Sequence, residues 1–337
     1  MNVLLTSAGR RGYLVQYFKE ALNGQGKVFV TNSTQWCTSF QYADESAVSP
    51  LIYNDEYIPF LLSYCQEHRI DILIPLFDVD LPVLSKNKQK FKAIGTQIIV
   101  SEPSVIEVCN DKWKTYQFLK KSGFNVPETY IGLQEVMQAL RQGELQYPII
   151  VKPRFGCGSL AMSVAEDEAA LLYYYRRNAR TISRTYLKYE SDSVEDKILF
   201  QEMLKGQEYG VDVIHDLEGN FQTAVVKEKF AMRAGETDIA RLVENETIFN
   251  ESKRLGKILG HIGNLDCDVF LVDGKPYILE MNARFGGGYP FSHLGGCNLP
   301  KAIVSWAKGC KADRDCFTIK TGKMIFKDLV LIEADNI

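Results

Sequence analysis

Apolar residues along this chain switch repeatedly between two periods. Near the start VLLTSA (3–8) is a short apolar run, RGYLVQYFKEAL (11–22) spaces its apolar positions as a helix does, and KVFVTNS (27–33) is extended again. YIPFLLSYCQEH (57–68) then predicts a helix, IDILIPLF (70–77) a buried strand, LPVLSKNKQKF (81–91) a helix and QIIVS (97–101) a strand. Strands alternating with helices predict a parallel sheet covered by helices on both faces, a Rossmann-like α/β domain over residues 1–100. Ligands collect at the carboxyl ends of such strands. Those ends carry Ser7 to Arg11, Asn32 with Ser33, and Asp78 with Asp80.

SEPS (101–104) breaks that pattern. DKWKTYQFLKKSG (111–123) reads as a helix stopped by Gly123, NVPETYIG and YPIIVKP as strands, and EVMQALRQ between them as a helix. Arg176 to Lys197 reads as a helix plus a mobile surface loop. ILFQEML, EYGVDVIHD and FQTAVVKEKFAM form an antiparallel series, the last two joined by the turn DLEGN. ETIFNESKRLGKILGHIG is an amphipathic helix, LDCDVFLV and KPYILEMN pair across Asp273-Gly274, and LPKAIVSWAKG is a final helix before a strand-like tail. Residues 101–200, 201–300 and 301–337 are therefore read as two lobes and a C-terminal helix with tail.

Composition narrows the function classes. Of 337 residues 46% are hydrophobic and 24% charged, with net charge -3, which gives no reason to expect nucleic acid or a membrane as partner. No apolar run approaches the ~18 residues of a membrane span. The start lacks the pattern of a signal peptide. Cysteines 37, 65, 109, 157, 267, 297, 310 and 316 stand singly, without a CxxC pair, which suits a reducing cytoplasm. AGRRGY lacks the GxGxxG spacing, and the second strand ends in Asn32 and Ser33 instead of a ribose-binding acid, so dinucleotide binding is disfavoured.

The chemistry concentrates in three stretches. EMNARFGGG (280–288) ends a buried strand, and side-chain alternation puts Glu280, Asn282 and Arg284 on one face, with Met281, Ala283 and Phe285 on the other. An acid, an amide and a guanidinium together suit a hard cation and a phosphate. A strand end whose polar residues meet solvent is the competing reading. Hairpin pairing brings Asp266 or Asp268 beside Glu280 and Asn282, with Asp268 preferred. In YPIIVKPRFGCGS (147–159) a strand delivers Lys152 to a glycine loop, Gly156 to Ser159, whose backbone N–H groups can approach phosphate oxygens. In ILFQEMLKGQE, Glu202, Leu204 and Glu208 border a hinge whose free backbone groups can pair with a base edge.

The order of these motifs resembles the ATP-grasp superfamily, in particular the ATP-binding half of the carbamoyl-phosphate synthase large chain and stand-alone carboxylate–amine ligases such as the pyrrolysine-pathway enzyme. The resemblance runs from the start to about Gly296. It implies a two-lobed ATP-grasp (α+β) fold after the N-terminal α/β domain. It also implies Lys112 and Lys152 on the ATP phosphates under the Gly156, Gly158 and Ser159 loop, with Glu202 and Leu204 at adenine and Glu208 at ribose. By the same resemblance Asp268, Glu280 and Asn282 would hold Mg²⁺, or Mn²⁺ in its place, and Arg284 would stabilise the transferred phosphoryl group. Lys229 and Arg233 of KEKFAMRAGET fall where related ligases keep basic residues near the phosphates.

The chain has one such half where carbamoyl-phosphate synthase has two, and no glutaminase segment, which disfavours that reaction. The implied activity is ATP-dependent joining of a small-molecule carboxylate to an amine through an acyl phosphate, with release of ADP and phosphate. A carboxyphosphate-using carboxylase and a non-catalytic ATP-binding regulatory subunit are the alternatives. Arg10, Arg11, Asp78 and Asp80 are the candidate substrate residues, since acids hold ammonium groups and arginines hold carboxylates; amino acids would suit them. A cytoplasmic homodimer completes the expectation.

Overall fold

The computed structural model describes residues 1–156, 158, 160–190 and 195–334. The first unit is β1 (Val3–Thr6), α1 (Gly12–Leu22), β2 (Val28–Asn32), β3 (Glu45–Val48), α2 (Tyr57–Glu67), β4 (Ile72–Pro75), α3 (Asp80–Ala93) and β5 (Gln97–Ile98). All neighbours in this sheet are parallel, in the order β3-β2-β1-β4-β5. The order reverses about β1, so the crevice for ligands opens beyond the carboxyl ends of β1 and β4. Arg11 follows the first of these ends and Asp78 the second. The strand β3 was not legible in the sequence because its residues alternate between half-buried and exposed. The QIIVS strand shrinks to Gln97–Ile98, its partner β4 meeting it over two residues.

Two helices follow, α4 (Pro103–Asn110) and α5 (Lys112–Lys121), separated by Asp111, which caps α5 by accepting from Trp113 N and Lys114 N. A four-stranded antiparallel sheet comes next, from β6 (Thr129–Ile131), α6 (Leu133–Gln142), β7 (Ile149–Pro153), β8 (Ser163–Ala165), α7 (Glu168–Arg184) and β9 (Ile198–Glu202), in the order β6-β9-β7-β8. Its core is its own: Val136, Ile149, Val151, Leu171, Ile182 and Phe200 pack together.

The third sheet has six antiparallel strands. Its elements are β10 (Gln207–His215), β11 (Phe221–Arg233), β12 (Glu236–Leu242), α8 (Glu246–Leu259), β13 (Gly263–Val272), β14 (Lys275–Asn282), α9 (Tyr289–Leu294), α10 (Leu299–Ala307) and β15 (Met324–Phe326), with sheet order β14-β13-β10-β11-β12-β15. Asn245 caps α8 through Ile248 N, and Gly260, at φ +71°, ends it. This sheet shares its core with the parallel one: Leu4, Phe29 and Leu73 belong to one apolar cluster with Val211, Leu265 and Met281. The parallel and six-stranded sheets thus form one body, and the four-stranded sheet faces it across a cleft.

Candidate active site

The cleft holds a cavity of about 540 Å³ lined by the four-stranded and six-stranded sheets, with Arg11 of the N-terminal unit. From the four-stranded side β7 delivers Lys152, whose buried Nζ donates to Gln201 Oε1 on β9 at 2.8 Å; Gln201 Nε2 in turn donates to Thr129 Oγ1 on β6. Burial pulls the Lys152 ammonium down to about 8, with Glu280 opposing and Lys112 adding to the fall. Lys112 begins α5. Its Nζ donates to Gly156 O and stands 3.5 Å from Glu280 Oε1, so one amine bridges the glycine loop to the acids. Asp111 fixes this corner, receiving Arg154 Nε and Nη2 at 2.7 and 2.6 Å.

The acids come from the β13–β14 hairpin. Asp268 lies opposite Glu280 and Asp266 opposite Asn282, with a bulge after Asp268. All four line the cavity. Lys229, on β11, sits between Asp268 Oδ1 at 2.5 Å and Glu208 Oε1 at 2.7 Å. Burial pushes the Asp268 carboxyl up to about 6; Lys229 opposes this, while Asp266, Glu208 and Glu280 reinforce it. For Lys229, burial pulls the ammonium down, but Asp268 and Glu208 more than offset it and hold it above its usual range.

Arg284 lies past the end of β14, which stops at Asn282, so strand alternation alone does not aim it. Two carboxylates do: Nη1 donates to Asp266 Oδ2 at 3.1 Å and Nη2 to Asp78 Oδ2 at 3.0 Å. Asn264 Nδ2 holds the Arg284 carbonyl at 3.1 Å and Asp212 Oδ1 at 2.9 Å, while Asp212 Oδ2 receives Lys227 Nζ and Ser292 Oγ. The glycines after Arg284 make room for acids. A Cβ on Gly286 would stand 2.1 Å from Asp266 Cγ, and one on Gly287 2.7 Å from Glu236 Cδ.

The cavity therefore gathers Lys112, Lys152, Gly156, Gly158, Glu202, Leu204, Glu208, Asp268, Glu280, Asn282, Arg284 and Arg11. Ser159 lies outside the described residues. Glu202 ends β9 and Glu208 is the second residue of β10, so both belong to strands flanking the connection. Arg11 also donates to Leu76 O. Asp78 reaches the site through Arg284. Asp80 does not line the cavity: it is fully buried, accepting from Thr6 Oγ1 at 2.8 Å and Tyr57 OH at 3.0 Å. Arg10 is exposed, and Arg233 is an exposed partner of Asp238 at 2.8 Å; neither lines the cavity. Sequence reasoning passed over Lys227, Gln201 and Glu236. Lys227 had a signal, since it lies two residues before Lys229 on one strand and so shares its face.

A family model described as ATP-grasp domain matches residues 109–288. The chain belongs to the ATP-grasp family. Residues 3–99 match a model described as PylC-like, N-terminal domain. The carbamoyl phosphate synthase large chain of Campylobacter jejuni is 25% identical over 265 residues, which cover 74% of this ATP-grasp chain and 23% of that relative's length. This chain thus spans about a quarter of that relative. Among solved structures, a biotin carboxylase–β,γ-ATP complex from Campylobacter jejuni superposes with TM-score 0.74 at 17% identity, over 96% of this chain and 74% of that one. An L-amino acid ligase from Bacillus licheniformis gives 0.69 at 19%, over 90% and 74%. These likenesses establish the ATP-grasp fold.

The donor set fits magnesium. It is made of oxygens, two carboxylates facing each other and an amide beside them. Among the described residues no cluster of three or more His, Cys, Asp or Glu side chains could by itself hold a metal. Magnesium suits such a site, because it takes one or two carboxylates and completes its shell with phosphate oxygens and water. Among the described residues no helix is long and apolar enough to cross a membrane.

Proposed function

We propose that the protein is an ATP-dependent ligase joining a small-molecule carboxylate to an amine, with ADP and phosphate as co-products. One observation carries the reading: Lys112, Lys152 and Arg284 surround the facing pair Asp268 and Glu280 inside one cavity. That is an arrangement for gathering a polyphosphate and spreading the charge of a transferred phosphoryl group. Lys112 and Lys152 hold phosphate oxygens, the backbone of Gly156 and of Gly158 serves the same phosphates, and Glu202, Leu204 and Glu208 line the wall for base and ribose. Asp268, Glu280 and Asn282 would hold magnesium, or manganese in its place, which would supply charge to neutralise phosphate oxygens. The carboxylate substrate attacks the γ-phosphorus, Arg284 steadies the charge on the phosphoryl oxygens, and the amine displaces phosphate from the acyl phosphate. No side-chain nucleophile is needed. We also take the enzyme to be cytoplasmic, on the free state of Cys37, Cys65, Cys109, Cys267, Cys297, Cys310 and Cys316, and to work as a homodimer on small molecules.

Hydroxylamine tests the mechanism by intercepting an acyl phosphate as a hydroxamate. With ¹⁸O-labelled carboxylate, one label should leave in the phosphate and ADP should be the nucleotide product. AMP with pyrophosphate would overturn the mechanism. Bicarbonate as the only phosphoryl acceptor would assign the site to carboxyphosphate chemistry.

A further inference from the structure

The ammonium of Lys152 is held by a group that carries no charge, and that group is itself held by another. Lys152, Gln201 and Thr129 lie on β7, β9 and β6, three neighbouring strands of the four-stranded sheet. Gln201 stands opposite Ile150 on one side and opposite Thr129 on the other. Paired residues share a face, as do residues two apart on a strand, so Lys152, Gln201 and Thr129 project from one face in a row. Ile149, Val151 and Phe200 turn to the other face and fill the apolar core of the lobe. The three polar side chains are only 6%, 5% and 3% exposed, so water does not stand in for a missing partner among them.

The hydrogen bonds along this row leave the amide one orientation. A lysine ammonium has only donors, so the Gln201 atom facing it has to be the oxygen, and Lys152 Nζ donates to Oε1 at 2.8 Å. The amide Nε2 then points at Thr129 and donates to its Oγ1 at 2.8 Å. Thr129 has one hydroxyl proton, which goes to Pro127 O at 2.9 Å, so its oxygen is left as an acceptor. A flipped amide would set donor against donor at Lys152 and face its oxygen to a hydroxyl whose proton is already taken. The amide in turn fixes the tip of a flexible four-carbon side chain. Lys152 makes no other hydrogen bond among the described residues, so its two remaining N–H groups are left for a ligand. A carboxylate in place of Gln201 would neutralise the ammonium, whereas the amide gives it direction and leaves its charge to phosphate. Gln201 lines the cavity beside Lys152, and Thr129 does not. We propose that Gln201 is a positioning residue for Lys152, and that Thr129, outside the cavity, sets the Gln201 amide and through it the grip on nucleotide phosphate. This inference rests on the reading above that Lys152 holds ATP phosphate oxygens.

Two substitutions at Thr129 separate its hydroxyl from its shape. Thr129→Val keeps the volume and branching and removes the hydroxyl; Thr129→Ser keeps the hydroxyl and removes a methyl. Calorimetric titration would measure the affinity of each for the magnesium complex of a non-hydrolysable ATP analogue and for adenosine, which has base and ribose without phosphate. The expected result is a Kd for the analogue about 3- to 10-fold higher in Thr129→Val, the scale of one neutral hydrogen bond, and within about twofold of wild type in Thr129→Ser. Kd for adenosine should stay within about twofold in both. Gln201→Met, similar in length but without the amide, should raise the Kd of the analogue by about 10-fold or more, the scale of a hydrogen bond to a charged group. A packing role for Thr129 would reverse the order, the lost methyl then mattering more than the lost hydroxyl. That reversal, an unchanged Kd in Thr129→Val, or adenosine weakened as much as the analogue would overturn the inference. Lys152→Ala is the separate check. An unchanged Kd for the analogue there would overturn the phosphate reading itself, whereas a raised one beside wild-type affinity in Thr129→Val and Gln201→Met would overturn only the role given to those two residues.

Discussion

Asp78 Oδ2 accepts a 3.0 Å hydrogen bond from Nη2 of Arg284, a residue 206 positions later in the chain. The contact ties the carboxyl edge of the parallel sheet to the end of the β13–β14 hairpin, and both side chains are buried. Asp266 holds the other terminal nitrogen at 3.1 Å, so the guanidinium is aimed by one carboxylate from each sheet.

Asp78→Asn keeps an acceptor for Arg284 and removes one charge. Asp266 remains, so the arginine keeps a charged partner and the fold should survive. The expected outcome is a kcat lower by about tenfold with MgATP affinity within about twofold, because loss of one charge-assisted hydrogen bond is worth roughly 1.5–3 kcal/mol and Arg284, in the mechanism proposed above, acts on the transferred group and not on nucleotide capture. Steady-state kinetics beside calorimetric titration of a non-hydrolysable ATP analogue would separate the two. An unchanged kcat would show that Asp266 alone orients Arg284.

Glu280→Gln preserves shape while taking one charge from the oxygen donor set. Nucleotide should still bind through Lys112 and Lys152, while turnover falls by several kcal/mol in barrier, an order-of-magnitude figure for a charged ligand at a phosphoryl-transfer site. The loss should deepen at limiting magnesium. A variant with wild-type turnover under that condition would remove Glu280 from the metal shell.

Lys152 gives nucleotide binding a pH dependence. Burial holds its ammonium near 8 before nucleotide arrives, so the positive form that attracts phosphate is present below that pH and fades above it. MgATP affinity should weaken as pH rises from 7 to 9. Lys152→Arg, charged throughout, should flatten the slope. Titrations at several pH values would decide, and an equally steep slope in the arginine variant would assign the dependence to another group.

How far these features were legible in the sequence depended on whether local pattern or distant contact decided them. Lys152, Glu280 and the β13–β14 pairing were readable because strand period and a Asp273-Gly274 turn fix them within a few residues. Asp78 was selected from its place at a strand end, but its partner could not be, since only the packing of two sheets brings Arg284 to it. Asp80 shares that strand-end signal, yet its neighbours Thr6 and Tyr57 take its oxygens inside the fold. Glu236 gave little warning because it begins β12, whose partner strand sets which face turns inward, whereas Lys227 could have been found from its shared face with Lys229 on β11. The triple glycine was noticed as a loop; its role as the floor under Asp266 and Glu236 appears only when the acids are placed above it.

A last prediction concerns acid stability and lies outside the cavity. His215 and His261 stack with ring centroids 4.0 Å apart and planes within 15°. Facing carbonyl oxygens, His215 Nδ1 donates to His261 O and His261 Nε2 to Val213 O, each at 3.0 Å, which puts the proton of each ring on that nitrogen. Their other nitrogens, His215 Nε2 and His261 Nδ1, are buried without a hydrogen-bond partner among the described residues, so a second proton would find no acceptor there. Burial pulls both rings down, His261 to about 3 with the His215 charge adding to the fall. The unfolded chain titrates its histidines near 6.5. Between that pH and about 3 the unfolded state therefore binds a proton that folded His261 refuses, and stability rises with pH. The contribution is complete above about 6.5 and is lost progressively as pH falls, at roughly 1.4 kcal/mol per pH unit for one such histidine. His261→Gln keeps a donor for Val213 O and cannot titrate. Urea unfolding from pH 7 to pH 5 should show a shallower pH slope in this variant, by about that amount per unit over the lower part of the range. A slope identical to that of the wild type would mean that acid lability arises elsewhere, with half-buried His293, stacked on Tyr17 and pulled down to about 4 by burial, the next group to replace.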